Sequence, residues 1–230
     1  IRSNLHFFQR REHLLLTKQA RKRSSTMFSK STDSVNRPRR SGPLGLASLF
    51  FYKRSNLVTA SLATSVFAGY LVFFLTGKGT AFEVVNSTVR SLGTSLGFGQ
   101  AEILAFLAER SDEMINAYIN FNQVWDTLFG LIYGVMYVAW VSLLFKPYSH
   151  KFGILNLLPF GQVVFDWVEN FALAALSNQY LADGSISSST ALLASTASAI
   201  KWVFSLLVYG VILVGIVMRI VRALKLRSQR

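Results

Sequence analysis

The sequence predicts an all-α protein: a four-span transmembrane helical bundle with a basic N-terminal arm and an amphipathic helix between the first and second spans. Three observations carry this expectation. The 230 residues are 51% hydrophobic, with 19 Phe and a mean hydropathy of +0.37, which is more apolar than soluble domains of this length usually are. Four segments have the roughly 17–25 predominantly apolar residues that a membrane helix needs. The charge is also uneven. Residues 1–54 hold thirteen Lys and Arg against Glu12 and Asp33, a net of +11 of the chain's +13, as in a basic arm attached to a nearly neutral body.

Residues 1–54 form the predicted arm. It starts on Ile rather than Met, as expected of a processed chain or a fragment, and is rich in Arg and Ser. His6-Phe7-Phe8 and Leu14-Leu15-Leu16 stand among Arg10, Arg11, Lys18, Arg21, Lys22 and Arg23, the composition of an organellar transit peptide or of the segment just behind one. A solvated, disordered tail is the competing reading. The transmembrane domain covers 55–222. Its first span, about 57–76, follows Lys53-Arg54 and closes at Gly77-Lys78-Gly79. The second, about 125–145, closes at Lys146-Pro147. The third, about 152–177, carries Pro159 in its first turns, where a missing amide is tolerated. The fourth is about 200–221, and 223–230 form a basic tail. Between the first two spans, over 100–122, Leu104, Leu107, Met114, Ile115, Tyr118 and Ile119 recur at near-helical spacing. This predicts a helix lying on, or rising into, the second span, with the glycine-bearing 93–99 as a flexible lead-in.

Four crossings place the arm, the Lys146/Lys151 loop and the Arg219-to-Arg230 tail on one side. The positive-inside rule then puts both termini in the cytoplasm, or in the matrix of a mitochondrion. Arg37, Arg39, Arg40, Lys53, Arg54, Arg219 and Arg222 are the candidate contacts to a partner or to anionic lipid. Basic clusters beside a membrane meet lipid headgroups, and these two would suit cardiolipin. The arm lacks a recognisable nucleic-acid module, so phosphate-backbone binding is disfavoured.

The chemistry is concentrated in the third span. Gln162, Asp166, Glu169 and Asn170 are three or four residues apart and share one helix stripe, which Asn156 and Pro159 extend. Carboxylates at membrane depth cost about 2.5–3.5 kcal/mol each on insertion scales, so they face protein or water. One reading is a helix clamp, with Tyr133 and Tyr137 of the second span and Lys201 and Trp202 of the fourth as partners. A proton or ion path through Asp166 and Glu169 is another, and docking against a further subunit a third. Gly130 and Gly134 form a Gly-x-x-x-Gly that permits close helix approach.

Several classes are disfavoured. Cysteine is absent, which removes disulfides, thiolate metal sites and a cysteine nucleophile. His6, His13 and His150 all fall outside the spans, against haem or a histidine-rich metal centre in the bundle. Gly77-Lys78-Gly79-Thr80 lacks the first glycine and the strand of a phosphate loop. Asn86-Ser87-Thr88 fits the glycosylation pattern, which matters only on a secretory route. The expectation is therefore a protein that is not an enzyme and holds no cofactor or metal beyond bound lipid.

The run Phe165-Asp166-Trp167-Val168-Glu169-Asn170, in the third of four spans, resembles small uncharacterised four-helix membrane proteins of bacteria through its Asp-x-x-Glu-Asn core. Together with the Arg/Ser-rich N-terminus, the chain resembles the accessory subunits of mitochondrial oxidative-phosphorylation complexes. That resemblance implies a non-catalytic inner-membrane subunit of a respiratory-chain or ATP-synthase complex, serving assembly, lipid binding and contacts with other subunits. The alternative is a small transporter or ion-conducting protein that uses Asp166 and Glu169.

Overall fold

A computed structural model describes residues 42–89 and 91–228. The fold is all-α, with no strand among the described residues. Arg37, Arg39 and Arg40 lie outside them.

The helical body begins at Gly42, before the expected boundary at 54/55. The last residues assigned to the arm form α1, Pro43–Arg54, which starts on a proline whose missing amide costs nothing at a helix start. Helix α2, Leu57–Phe82, follows after a short break at Ser55-Asn56. Asn56 caps it by accepting from the Thr59 amide at 2.9 Å. It runs past the Gly77-Lys78-Gly79 stop predicted from sequence, because glycine in a helix is unfavourable by only about 1 kcal/mol.

The single amphipathic helix expected over 100–122 is two helices. α3, Gln100–Ala108, ends before Ser111 caps a new helix by accepting from the Met114 amide at 3.4 Å. That helix, α4, runs without interruption from Asp112 to Phe152, so the second span is far longer than 125–145. Gly153 turns the chain with φ +50°, and α5, Leu158–Asp183, follows with Pro159 in its first turn. The expected third span, 152–177, is thus displaced by six residues at both ends. Gly184, at φ +72°, ends α5 in the left-handed conformation that glycine adopts without penalty. α6, Ser188–Arg227, has 40 residues, about 60 Å at 1.5 Å per residue. It includes most of the segment read as a separate basic tail and overshoots a hydrocarbon core of about 30 Å at both ends.

Among the described residues, three helices are long and apolar enough to cross a membrane: α2, α4 and α6. α5 is not one of them. Its polar stripe lowers its hydropathy, and burial explains why that is tolerated. Gln162, Val163, Asp166, Glu169, Asn170 and Leu173 all face protein, while Val164 and Phe171 on the opposite side are exposed. The glycines show how close the packing is. A Cβ on Gly130 would stand 2.7 Å from Asp166 Oδ2, and one on Gly134 would collide with Val163. The Gly-x-x-x-Gly therefore seats α4 on α5. Gly161 against Phe204 and Gly215 against Phe145 do the same for α6, without any motif to signal it.

Away from the basic end, α3, the first turns of α4, the last turns of α5 and the first turns of α6 enclose a core of Ile103, Phe106, Leu107, Ile115, Leu173 and Leu176. At the other end, Tyr52, Val141, Leu144 and Phe145 form a smaller cluster. Lys146 Nζ donates to the Ser55 carbonyl at 2.9 Å, and Arg219 donates to the Leu143 carbonyl at 2.9 Å. Lys201 apart, the described basic residues of α1, α4 and α6 thus gather at one end of the bundle.

Candidate functional site

Two polar knots lie in the body. The first is charged and joins α5 to α6. Lys201 Nζ is 3.3 Å from Asp166 Oδ1, is in direct contact with Glu169 Oε2, and donates to the Gly93 carbonyl at 3.1 Å. All three side chains are buried. Three oxygens of the chain thus surround the ammonium, which carries three N–H donors. The turn at 92–94 is held further by Ser198 and Trp202, which both donate to the Ser95 carbonyl, at 2.7 and 3.0 Å.

The acceptors around Lys201 outnumber the donors. Asp166 Oδ2, Glu169 Oε1 and Gln162 Oε1 are buried with no hydrogen-bond partner, as is the donor Asn170 Nδ2. Tyr133 stands beside Asp166 but makes no hydrogen bond of good geometry. Its ring packs edge-on against Phe129 and tilted against Tyr137, whose hydroxyl reaches Tyr209 of α6 at 3.5 Å. Tyr137 therefore contacts α6 rather than the carboxylates.

A third carboxylate, absent from the sequence-based site, completes the cluster. Asp126 of α4 lies beside Asp166 and Asn170 and has no salt-bridge partner among the described residues. It ends a π-helical turn, Phe121–Asp126, and a second such turn, Leu71–Leu75, lies in α2. Such turns add a residue to one helical turn and re-aim the side chains beyond it. They are tied together by Tyr70, which donates to the Trp125 carbonyl at 2.9 Å, and by stacking of Phe74 on Trp125. A signal for Asp126 was present. Asp126, Gly130, Tyr133 and Tyr137 recur at three or four residues and share a face of α4.

A cavity of about 830 Å³ opens beside this cluster. α2 supplies Phe67, Leu71 and Leu75, α4 supplies Asp126, Phe129, Tyr133 and Tyr137, α5 supplies Gln162 and Asp166, and α6 supplies Lys201, Trp202 and Tyr209. Arg110 and Glu83 line its far end. Arg110 donates to the Phe82 and Phe106 carbonyls and covers the Phe106 ring. Burial lowers its pKa from the usual arginine value, which leaves a guanidinium charged near neutral pH.

Asp126 immediately precedes the 19-residue apolar run Thr127–Phe145 of α4, and Lys201 lies beside Ile200, where the apolar run of α6 begins. The charged knot therefore sits where the apolar belt meets the packed core beyond it.

The second knot is neutral and lies toward the basic end. Ser48 Oγ donates to Asn156 Oδ1 at 2.7 Å, and Asn156 Nδ2 donates to the Ser48 carbonyl at 3.0 Å and to Ser142 Oγ at 2.9 Å. Asn156 precedes α5 in a 3-10 turn, Leu155–Leu157. It is thus separate from the stripe it was expected to extend. Of the predicted lipid or partner contacts, Lys53, Arg54 and Arg222 are exposed and Arg219 is half-buried. No group of three or more His, Asp or Glu with metal-binding spacing occurs among the described residues.

No family model matches the chain, and no curated protein or solved structure matches it.

Proposed function

We propose that this chain is a non-catalytic accessory subunit of a mitochondrial respiratory-chain or ATP-synthase complex. In this reading it crosses the inner membrane four times, α5 included, with both termini in the matrix. The observation that carries the reading is the Lys201 clamp. It pairs with Asp166 and Glu169 and donates to the Gly93 carbonyl, so the charged device is engaged in joining α5, α6 and the 92–94 turn. Two further features agree. Only 11% of the apolar window of α2 is buried, which leaves a face for lipid or a neighbouring subunit. The exposed Lys53, Arg54 and Arg222 at one end suit cardiolipin or a matrix-side partner.

The test is mild detergent extraction of native membranes, native electrophoresis and mass spectrometry of each slice. Migration only within a large complex, alongside respiratory or synthase subunits, supports the proposal. Migration as a monomer or small homo-oligomer sinks it. A transporter is the second reading, favoured by the cavity that reaches Asp126 and Asp166. It expects Asp166→Asn with Glu169→Gln to abolish flux in proteoliposomes while the fold persists, whereas a clamp expects the fold or assembly to fail.

A further inference from the structure

The Lys201 ammonium is spoken for, but the cavity beside it is left with unmatched acceptors. Asp126 is closely surrounded by protein, yet part of its surface remains accessible and it lines the cavity. It has no salt bridge among the described residues. The neighbouring Asn170 amide makes no hydrogen bond of good geometry. Two further acceptors on cavity-lining residues, Asp166 Oδ2 and Gln162 Oε1, are also without partners. Among the described residues, the charges that line the cavity are Glu83, Arg110, Asp126, Asp166 and Lys201. Lys201 is outnumbered by Asp166 and Glu169, and Arg110 is held by backbone carbonyls at the far end. Among the described residues, the local excess around Asp126 is therefore negative. An anion would find it repulsive.

The rest of the wall is apolar and aromatic. Phe67, Phe129, Tyr133 and Trp202 line it, and aromatic faces attract cations as well as apolar bodies. The volume, about 830 Å³, lies within the range of small-molecule sites. The cavity lies between α2, which packs on α4, and α6, which packs on α5, where a ligand dissolved in the bilayer would approach.

We propose that this cavity binds a lipophilic protonated amine, its ammonium on Asp126 and its apolar body against Phe67, Phe129 and Tyr133. This goes beyond the subunit reading and does not rest on it, because binding asks for no transport and no partner.

The experiment uses the full chain in lipid nanodiscs and titration calorimetry with two probes of the same shape. Dibenzylamine is a protonated secondary amine at neutral pH, and dibenzyl ether lacks both the charge and the N–H. The expected result is saturable one-to-one binding of the amine above the background of empty nanodiscs, with the ether about tenfold weaker or worse. Asp126→Asn should weaken the amine about tenfold and leave the ether unchanged. Phe67→Trp narrows the cavity at a half-exposed position without altering charge, and should weaken both probes; it serves alone if Asp126→Asn fails to fold. Absence of saturable amine binding, equal binding of the ether, or full affinity in the folded Asp126→Asn or Phe67→Trp protein overturns the proposal.

Discussion

The two polar knots solve the same problem with different completeness. Around Asn156 the side chains of Ser48, Ser142 and Asn156 and the Ser48 carbonyl are joined by hydrogen bonds of 2.7 to 3.0 Å, and no charge is buried. Around Lys201 one ammonium serves two carboxylates while Asp126 stands unpaired beside them, and several acceptors have no partner. A satisfied neutral network specifies packing and asks for nothing more. An over-supplied acidic cluster beside a cavity keeps capacity for something else. The neutral knot is best read as architecture, and the charged one as architecture with an unused binding side.

Breaking the charged knot should have the largest effect. Lys201→Met leaves Asp166 and Glu169 buried without a cation, and removing one partner of a buried pair is expected to cost about 3–5 kcal/mol. Thermal or SDS-titrated unfolding of the purified protein in lipid would read this as a large fall in midpoint or a failure to accumulate. A midpoint within error of the parent would mean that the carboxylates do not depend on Lys201.

Replacing the whole knot separates its two roles. Lys201→Met with Asp166→Leu and Glu169→Met removes all three charges together. Buried ion pairs replaced by apolar side chains of similar size are often neutral, or stabilising by about 1–4 kcal/mol. The triple variant should therefore unfold close to the parent, far above Lys201→Met alone. If both unfold equally early, the position of Lys201 matters for packing rather than charge.

How legible these knots are in sequence follows from what each depends on. Asp166 and Glu169 announce themselves as carboxylates three apart on a helix that must bury them. Lys201 is equally visible, being the only Lys or Arg from residue 152 to residue 218. The extent of α6 is less so. Its first turns, rich in Ser and Ala, have little hydropathy, and they form a helix because Ala191 and Ala194 pack into the core shared with α5. The break between α3 and α4 at Ser111 was signalled only by its cap, while the apolar spacing on either side suggests one helix. Asn156 looks like a member of the α5 stripe, and only the Gly153 turn assigns it to the other knot. The cavity has no local signature at all. It is assembled from side chains as far apart as Phe67 and Tyr209, and its acidic wall depends on a π-helical turn that no periodicity marks.

A middle-sized effect is expected from the neutral knot. Asn156→Leu removes one acceptor of the Ser48 hydroxyl and the donor to Ser142 Oγ and to the Ser48 carbonyl, while the Gly153 carbonyl stays 3.1 Å from Ser48 Oγ. Each unsatisfied buried group costs about 1–3 kcal/mol, partly relieved where a hydroxyl can rotate. The loss should be smaller than for Lys201→Met and, unlike that variant, should leave dibenzylamine binding unchanged. Impaired binding in a folded Asn156→Leu protein would show that the two knots are coupled.

Ser48→Ala is the gentlest cut. It deletes one hydroxyl, which donates to Asn156 Oδ1 and also lies 3.1 Å from the Gly153 carbonyl, while the Ser48 carbonyl remains to accept from Asn156 Nδ2. One neutral hydrogen bond contributes about 0.5–1.5 kcal/mol net. Ser48 is fully buried, so water does not readily replace the lost donor, and the upper part of that range is expected. Because Ser48 lies on α1, the change should loosen α1 first. Hydrogen exchange would show faster exchange in Pro43–Arg54 than in the parent, with α5 and α6 unaltered. Uniform loss of protection across all helices would instead make α1 part of one cooperative unit with the charged knot, and the division between the two regions would fail.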